Sequence, residues 1–208
     1  VAALVGAVSV AKRAFFPAPA AARTEKPSRI RDDSLLAELR RIGRPLSTAG
    51  GGKQIVVLSD YQCPACRSFH KLLRELEAEH PGRFTASLIH YPLDYHRFAE
   101  GAAKLAECAA AVERFGHVSD VLFSVQDSLG LLPWTAVIER TDFDDPGSVL
   151  ACANASIDDA RFNRIRDGIA IGTMLRIAGT PLVVLGETRY HSPPSRDEVR
   201  RWLLDGDE

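Results

Sequence analysis

Three kinds of hydrophobic run alternate along the chain, and their order predicts an α/β architecture. Ile55-Val56-Val57-Leu58 is continuously apolar and largely β-branched, the pattern of a strand buried on both faces. After it, Phe69, Leu72, Leu73 and Leu76 recur at helical spacing. Pro81-Gly82 turns the chain, and Phe84, Ala86, Leu88 and His90 then alternate with Arg83, Thr85, Ser87 and Ile89 as in a second strand. A helical crossover between two strands of one sheet makes them parallel. From Arg97 to about Ile177 the pattern is helical, with breaks near Gly116, at 130–133 and at 144–147. Strand residues return at 182–185, and Gly186-Glu187-Thr188 connects them to a short strand at Arg189-Tyr190, an antiparallel hairpin. Ser195 and Glu198 form a capping box before a closing helix that packs Val199, Trp202 and Leu203.

The residues before the first strand read differently. Asp32-Asp33-Ser34 offers helix-start chemistry ahead of Leu35, Leu36, Leu39 and Ile42, and Gly43, Pro45 and Gly50-Gly51-Gly52 then break the chain into a loop. Residues 17–31 are rich in Ala, Pro and basic side chains without a hydrophobic period, as in a linker. VAALVGAVSVA at 1–11 is apolar but too short to span a bilayer, and small residues with Ala-x-Ala patterns follow it. The expectation is a truncated signal or anchor segment with linker at 1–31. A single domain would then occupy 32–208, with a helical insertion at about 97–177.

Charge narrows the partners. Six basic residues against one Glu give 1–31 a net +5, so with −1 overall the remainder carries −6, a poor match for nucleic acid. Four cysteines at positions 63, 66, 108 and 152 fit one active pair and one structural pair in an oxidising compartment. Lys12-Arg13, on the domain side of the apolar run, would by the positive-inside rule face the cytoplasm. The cysteine usage outweighs it, and the expected location is periplasmic or otherwise extracytoplasmic.

Cys63-Pro64-Ala65-Cys66 joins the first strand to the first long helix. Pro64 suits the first helical position, because its φ is already helical and its missing N–H would have been unbonded there. Cys63 therefore meets the unpaired N–H groups and positive dipole end of a helix, which favour a thiolate. Cys66 lies about one turn deeper on the same face, where it can attack a mixed disulfide at Cys63. Half of a zinc site would need a second Cys/His pair at similar spacing, which the chain lacks, and His70 suits a packing or surface position. No metal or cofactor is expected. Cys108 and Cys152 lie in alanine-rich helical segments and are expected to pair as a structural disulfide, two free buried thiols being the alternative.

The strand, Cys-x-x-Cys helix, strand, helical block, Thr-Pro, hairpin and helix together resemble the thioredoxin superfamily. Within it they are most similar to the DsbA-like branch, a thioredoxin fold with an inserted helical domain. The resemblance rests on Ser59-Asp60-Tyr61-Gln62-Cys63-Pro64-Ala65-Cys66, His90-Tyr91-Pro92-Leu93 and Gly179-Thr180-Pro181-Leu182-Val183-Val184, and covers about 53–205. It implies that Cys63 is the exposed attacking cysteine, Cys66 the buried resolving one, and Pro64-Ala65 the pair that tunes the potential. Pro181 would be a cis-proline facing the disulfide, leaving the Thr180 backbone free for a substrate strand. Ala65 stands where the strongest oxidants of the branch carry histidine. The implied activity is thiol–disulfide exchange with reduced or misoxidised secreted proteins, with a membrane redox partner for reoxidation. A reductase or isomerase of the same fold, or a non-catalytic chaperone using the groove beside Pro181, stays open.

Overall fold

The computed structural model describes residues 25–47 and 51–205. The apolar run at 1–11, the Ala-x-Ala patterns and Gly50 lie outside the described residues. Among those described, six strands make one sheet in the order β1-β6-β5-β3-β4-β2. They are β1 (Ser28–Arg29), β2 (Arg44–Pro45), β3 (Lys53–Ser59), β4 (Phe84–His90), β5 (Leu182–Leu185) and β6 (Thr188–Tyr190). The helices are α1 (Asp33–Ile42), α2 (Pro64–Glu79), α3 (Ala99–Ala110), α4 (Phe115–Ser124), α5 (Trp134–Ile138), α6 (Pro146–Ala153), α7 (Asn163–Met174) and α8 (Arg196–Leu204).

The continuous apolar run does become the central strand. β3 pairs parallel with β4 on one side and antiparallel with β5 on the other, and Ile55 to Leu58 are at most 5% exposed. Alternation sorts the side chains into two cores. Ile55, Val57, Leu88, Val183 and Leu185 face α2, α8 and the helical block, while Val56, Leu58, Ile89, Leu182 and Val184 face α1 and α7. Helix α7 comes close enough to β4 that a Cβ on Gly168 would lie 2.2 Å from the His90 carbonyl oxygen, so only glycine fits there. The β5–β6 hairpin turns at Gly186, whose φ of +61° favours glycine.

Two short strands lie where the sequence pattern suggests none. Ser28–Arg29, at the end of the segment read as a linker, pairs with Arg189 and Thr188 of β6. Arg44–Pro45, in the stretch read as a chain break, pairs antiparallel with β4. Both are two residues long, too short to carry a period.

The helical block between β4 and β5 comprises α3 to α7. Cys108 on α3 and Cys152 on α6 are bonded, with their Cα atoms 6.0 Å apart. Beside them α3 buries Glu107, whose carboxylate meets Arg44 Nη2 at 2.7 Å and His90 Nε2 at 3.1 Å. Burial alone would raise the Glu107 pKa, but the hydrogen bonds and charges of His90 and Arg44 hold it at about 2.

Candidate active site

Helix α2 opens at Pro64, with Cys63 as its N-cap residue in extended conformation. The next turn places Cys66 on the buried face with Phe69, His70, Leu73 and Leu76. The His70 ring accordingly packs inward, 4.6 Å from the Phe123 ring, with Nε2 2.6 Å from Asp120.

Both active-loop sulfurs are free thiols, and their surroundings differ. The Cys63 pKa is lowered to about 6, chiefly by a hydrogen bond from the Cys66 side chain. Desolvation opposes this, while the Thr180 side chain and the backbone N–H groups of Cys66 and Ala65 assist. Burial pushes the Cys66 thiol well up, and the neighbouring Cys63 sulfur pushes it further, with Ser59 and Thr180 acting the other way. One thiol is thus poised to ionise near neutrality and its neighbour to stay protonated.

Covering this pair is the turn before β5. The Thr180-Pro181 peptide bond is cis, and the Cys63 thiol donates to the Thr180 carbonyl oxygen at 3.1 Å. That carbonyl is thus engaged by Cys63. The contact explains why Cys63, expected to be exposed, is only 7% exposed against 1% for Cys66. It is the more accessible of the two, lying under a lid supplied from 117 residues downstream. An S–H donated to a carbonyl favours the thiol, so ionisation breaks this bond. The Thr180 hydroxyl, buried and without a hydrogen-bond partner among the described residues, can then turn to the sulfur.

Residues outside the motif hold the loop from behind. Gln126 donates through Nε2 to the Tyr61 carbonyl at 2.6 Å and to the Cys63 carbonyl at 3.0 Å, fixing the helix start. Tyr61, 2% exposed, bonds Ser119 at 2.8 Å and packs at a tilt against the Phe123 ring, centroids 4.9 Å apart. Asp60 and Gln62 tie the loop to the segment after β4, through Leu93, His96 and Phe98. Gln126, Ser119 and His96 carry no local signal, being 36 to 65 positions from their partners. Asp60 and Gln62 flank the motif, but only their partners show what they do.

Comparison with known proteins follows this geometry. A family model described as thioredoxin matches residues 51–205. The thiol-disulfide exchange protein alpha-DsbA2 from Wolbachia pipientis shares the fold at a TM-score of 0.64 and 14% identity, covering 83% of this chain and 96% of that one. The catalytic domain of Proteus mirabilis ScsC gives 0.64 and 16%, covering 83% and 97%. Pseudomonas aeruginosa DsbA2 gives 0.58 and 22%, covering 74% and 90%. A curated relative, the Na(+)/H(+) antiporter NhaA 3 of Salinispora tropica, is 30% identical over 142 residues, 67% of this chain. The chain spans about a fifth of that relative, 21% of its length.

Proposed function

Because the chain belongs to the thioredoxin family, with the fold of DsbA-like structures, we propose that it is an exported thiol–disulfide oxidoreductase that donates a Cys63–Cys66 disulfide to other secreted proteins. The observation that carries this reading is the opposite tuning of two neighbouring thiols, Cys63 down to about 6 and Cys66 well up, under the Thr180 carbonyl.

In the oxidised enzyme a substrate thiolate attacks the Cys63 sulfur. The Cys63–Cys66 bond breaks, and its electron pair leaves on Cys66, which takes up a proton as its high pKa favours. A second substrate thiolate then attacks the substrate sulfur of the mixed disulfide and expels Cys63 as a thiolate. The substrate has lost two electrons and the enzyme has gained them. A low thiol pKa makes Cys63 a good leaving group and stabilises the reduced enzyme, which drives the reaction toward oxidation of the substrate. Reoxidation passes the two electrons to a membrane partner that carries a disulfide.

An extracytoplasmic setting is supported by the Cys108–Cys152 bond, since structural disulfides persist where the medium is oxidising. The 30% identity to part of a protein named for sodium–proton antiport supports a unit that works beside a membrane. Among the described residues no helix is long and apolar enough to cross one.

Equilibration with glutathione tests the direction of exchange. A reduction potential near about −120 mV supports the oxidase, whereas one near about −270 mV makes the chain a reductase of the same fold. Loss of exchange in both Cys63→Ser and Cys66→Ser is expected. Retention in either overturns the assignment of the pair.

A further inference from the structure

Three residues before Cys63 sits a carboxylate with no exposed side-chain surface. Asp60 accepts at Oδ1 from the Gln62 N–H at 2.6 Å. At Oδ2 it accepts from the Leu93 N–H at 2.7 Å and from His96 Nδ1 at 2.8 Å. Its side chain is fully buried and that of His96 is 19% exposed. The Asp60 carbonyl oxygen also accepts from the Cys63 N–H at 3.1 Å, so the residue that collects these donors also sets the first backbone bond of the redox loop. Two more bonds bind the same segments, Tyr91 N–H to the Ser59 carbonyl at 2.8 Å and Phe98 N–H to Gln62 Oε1.

The packing has an electrostatic side. A buried negative charge three residues before Cys63 in the chain opposes ionisation of the Cys63 thiol, because like charges in a poorly solvated region raise a pKa. Tyr95 reports the shared space. Its ring stands edge-on to His96 at 4.5 Å, and its phenol is pushed up by desolvation and then by the charges of Cys63, Asp60 and Cys66 together. The His96 N–H is the one side-chain donor directed at Asp60 among the described residues.

We propose that Asp60 and His96 act together as positioning residues for the redox pair. The carboxylate pins the 91–98 segment against the cysteine loop, and the imidazole N–H draws its charge away from Cys63. A thiolate can then form beside a buried acid. The proposal rests on the redox reading of Cys63 and Cys66, and adds to it the two groups that let the motif carry a carboxylate at its entrance.

Thiolate absorbance against pH, measured on the reduced full chain, tests the pair without any substrate. His96→Leu is expected to raise the Cys63 pKa by roughly half to one unit, since the carboxylate is then less compensated. Equilibrium with glutathione should move three- to ten-fold toward the Cys63–Cys66 disulfide. Adding Asp60→Asn to His96→Leu removes the charge as well, and should return the Cys63 pKa to within about 0.3 unit of the parent. His96→Asn keeps an amide N–H where Nδ1 stood, and should hold the parent value even if the double variant fails to fold. The proposal is overturned if His96→Leu lowers the melting temperature but leaves the Cys63 titration in place, if the double variant folds without restoring it, or if His96→Asn shifts it as far as leucine does. A parent protein with no low-pKa thiol would instead overturn the redox reading itself.

Discussion

The two cysteine pairs of this chain differ in what surrounds the sulfur. Cys63 and Cys66 lie one helical turn apart at the mouth of α2, beside unpaired N–H groups, two hydroxyls and the Thr180 carbonyl. Cys108 and Cys152 join α3 to α6 across a sequence separation of 44, Cys152 between two alanines and Cys108 between Glu107 and Ala109. The first pair has polar groups that separate the two thiols' acidities. The second is already bonded, lies in alanine-rich helical segments, and closes a long loop. Burial alone therefore does not make a cysteine inert: Cys63 at 7% and Cys108 at 5% are equally covered. What differs is the polar contact made to the sulfur itself.

The sharpest way to break this comparison is to exchange the roles. Cys63→Ser should reduce disulfide exchange with a reduced test protein to the uncatalysed rate while shifting the melting temperature little. The double variant Cys108→Ala/Cys152→Ala should do the reverse, losing roughly 3–4 kcal/mol of stability on the chain-entropy model and keeping exchange. Denaturant melts and an exchange assay on both proteins decide it. Comparable loss of activity in the two would mean that the pairs are not independent.

Next in size is the polar link between the block and the sheet. Glu107→Gln should cost about 3 kcal/mol at neutral pH, because it leaves Arg44 and His90 facing an uncharged partner in a buried site. The sign with pH follows from the depressed pKa. The Glu107 carboxylate contributes its stability above the ordinary value of about 4.3, and that contribution is lost as pH falls through about 2. Urea melts from pH 7 down to pH 2 should show the wild type and variant converging.

Alkylation sharpens the comparison within the redox pair. Iodoacetamide should label Cys63 with a midpoint near pH 6 and leave Cys66 unlabelled until well above the ordinary thiol value of about 8.5. Because the Cys63 pKa is depressed on folding, its thiolate stabilises the reduced fold fully above about pH 8.5, and that share is lost as pH falls through about 6. The smallest expected effect comes from Thr180→Val, which removes a buried unpartnered hydroxyl. Stability should change by less than about 1 kcal/mol, while the Cys63 titration rises by a few tenths of a unit. A fall in stability without movement of the titration would show that the hydroxyl serves packing alone.

The pattern of the chain made the central parallel pair, the Cys-Pro-Ala-Cys helix start and the closing hairpin legible, because each is encoded within a few neighbouring residues. Strands β1 and β2 were not, since two residues hold no period and their pairing depends on β6 and β4 arriving beside them. The family resemblance placed Thr180-Pro181 beside the disulfide but did not show that the Thr180 carbonyl would cover Cys63. That link came from the resemblance alone, since no spacing rule connects position 63 to position 180. Gln126, which fixes the Cys63 carbonyl, reads in sequence as an ordinary polar residue near the end of a helix. What the residues themselves conveyed was local chemistry; the side-chain contacts of Gln126, Ser119 and His96 lay beyond their reach.

The two outer strands carry a consequence for a molecule proposed to handle unfolded chains. Among the described residues each outermost strand is only two residues long, and β2 includes Pro45, which has no N–H to offer. Along β1 and β2 an incoming extended chain finds only a short row of backbone groups on which to add itself as a further strand. Lasting adhesion at these two strands is thereby limited, which suits a molecule proposed to let a client go once a sulfur has been exchanged.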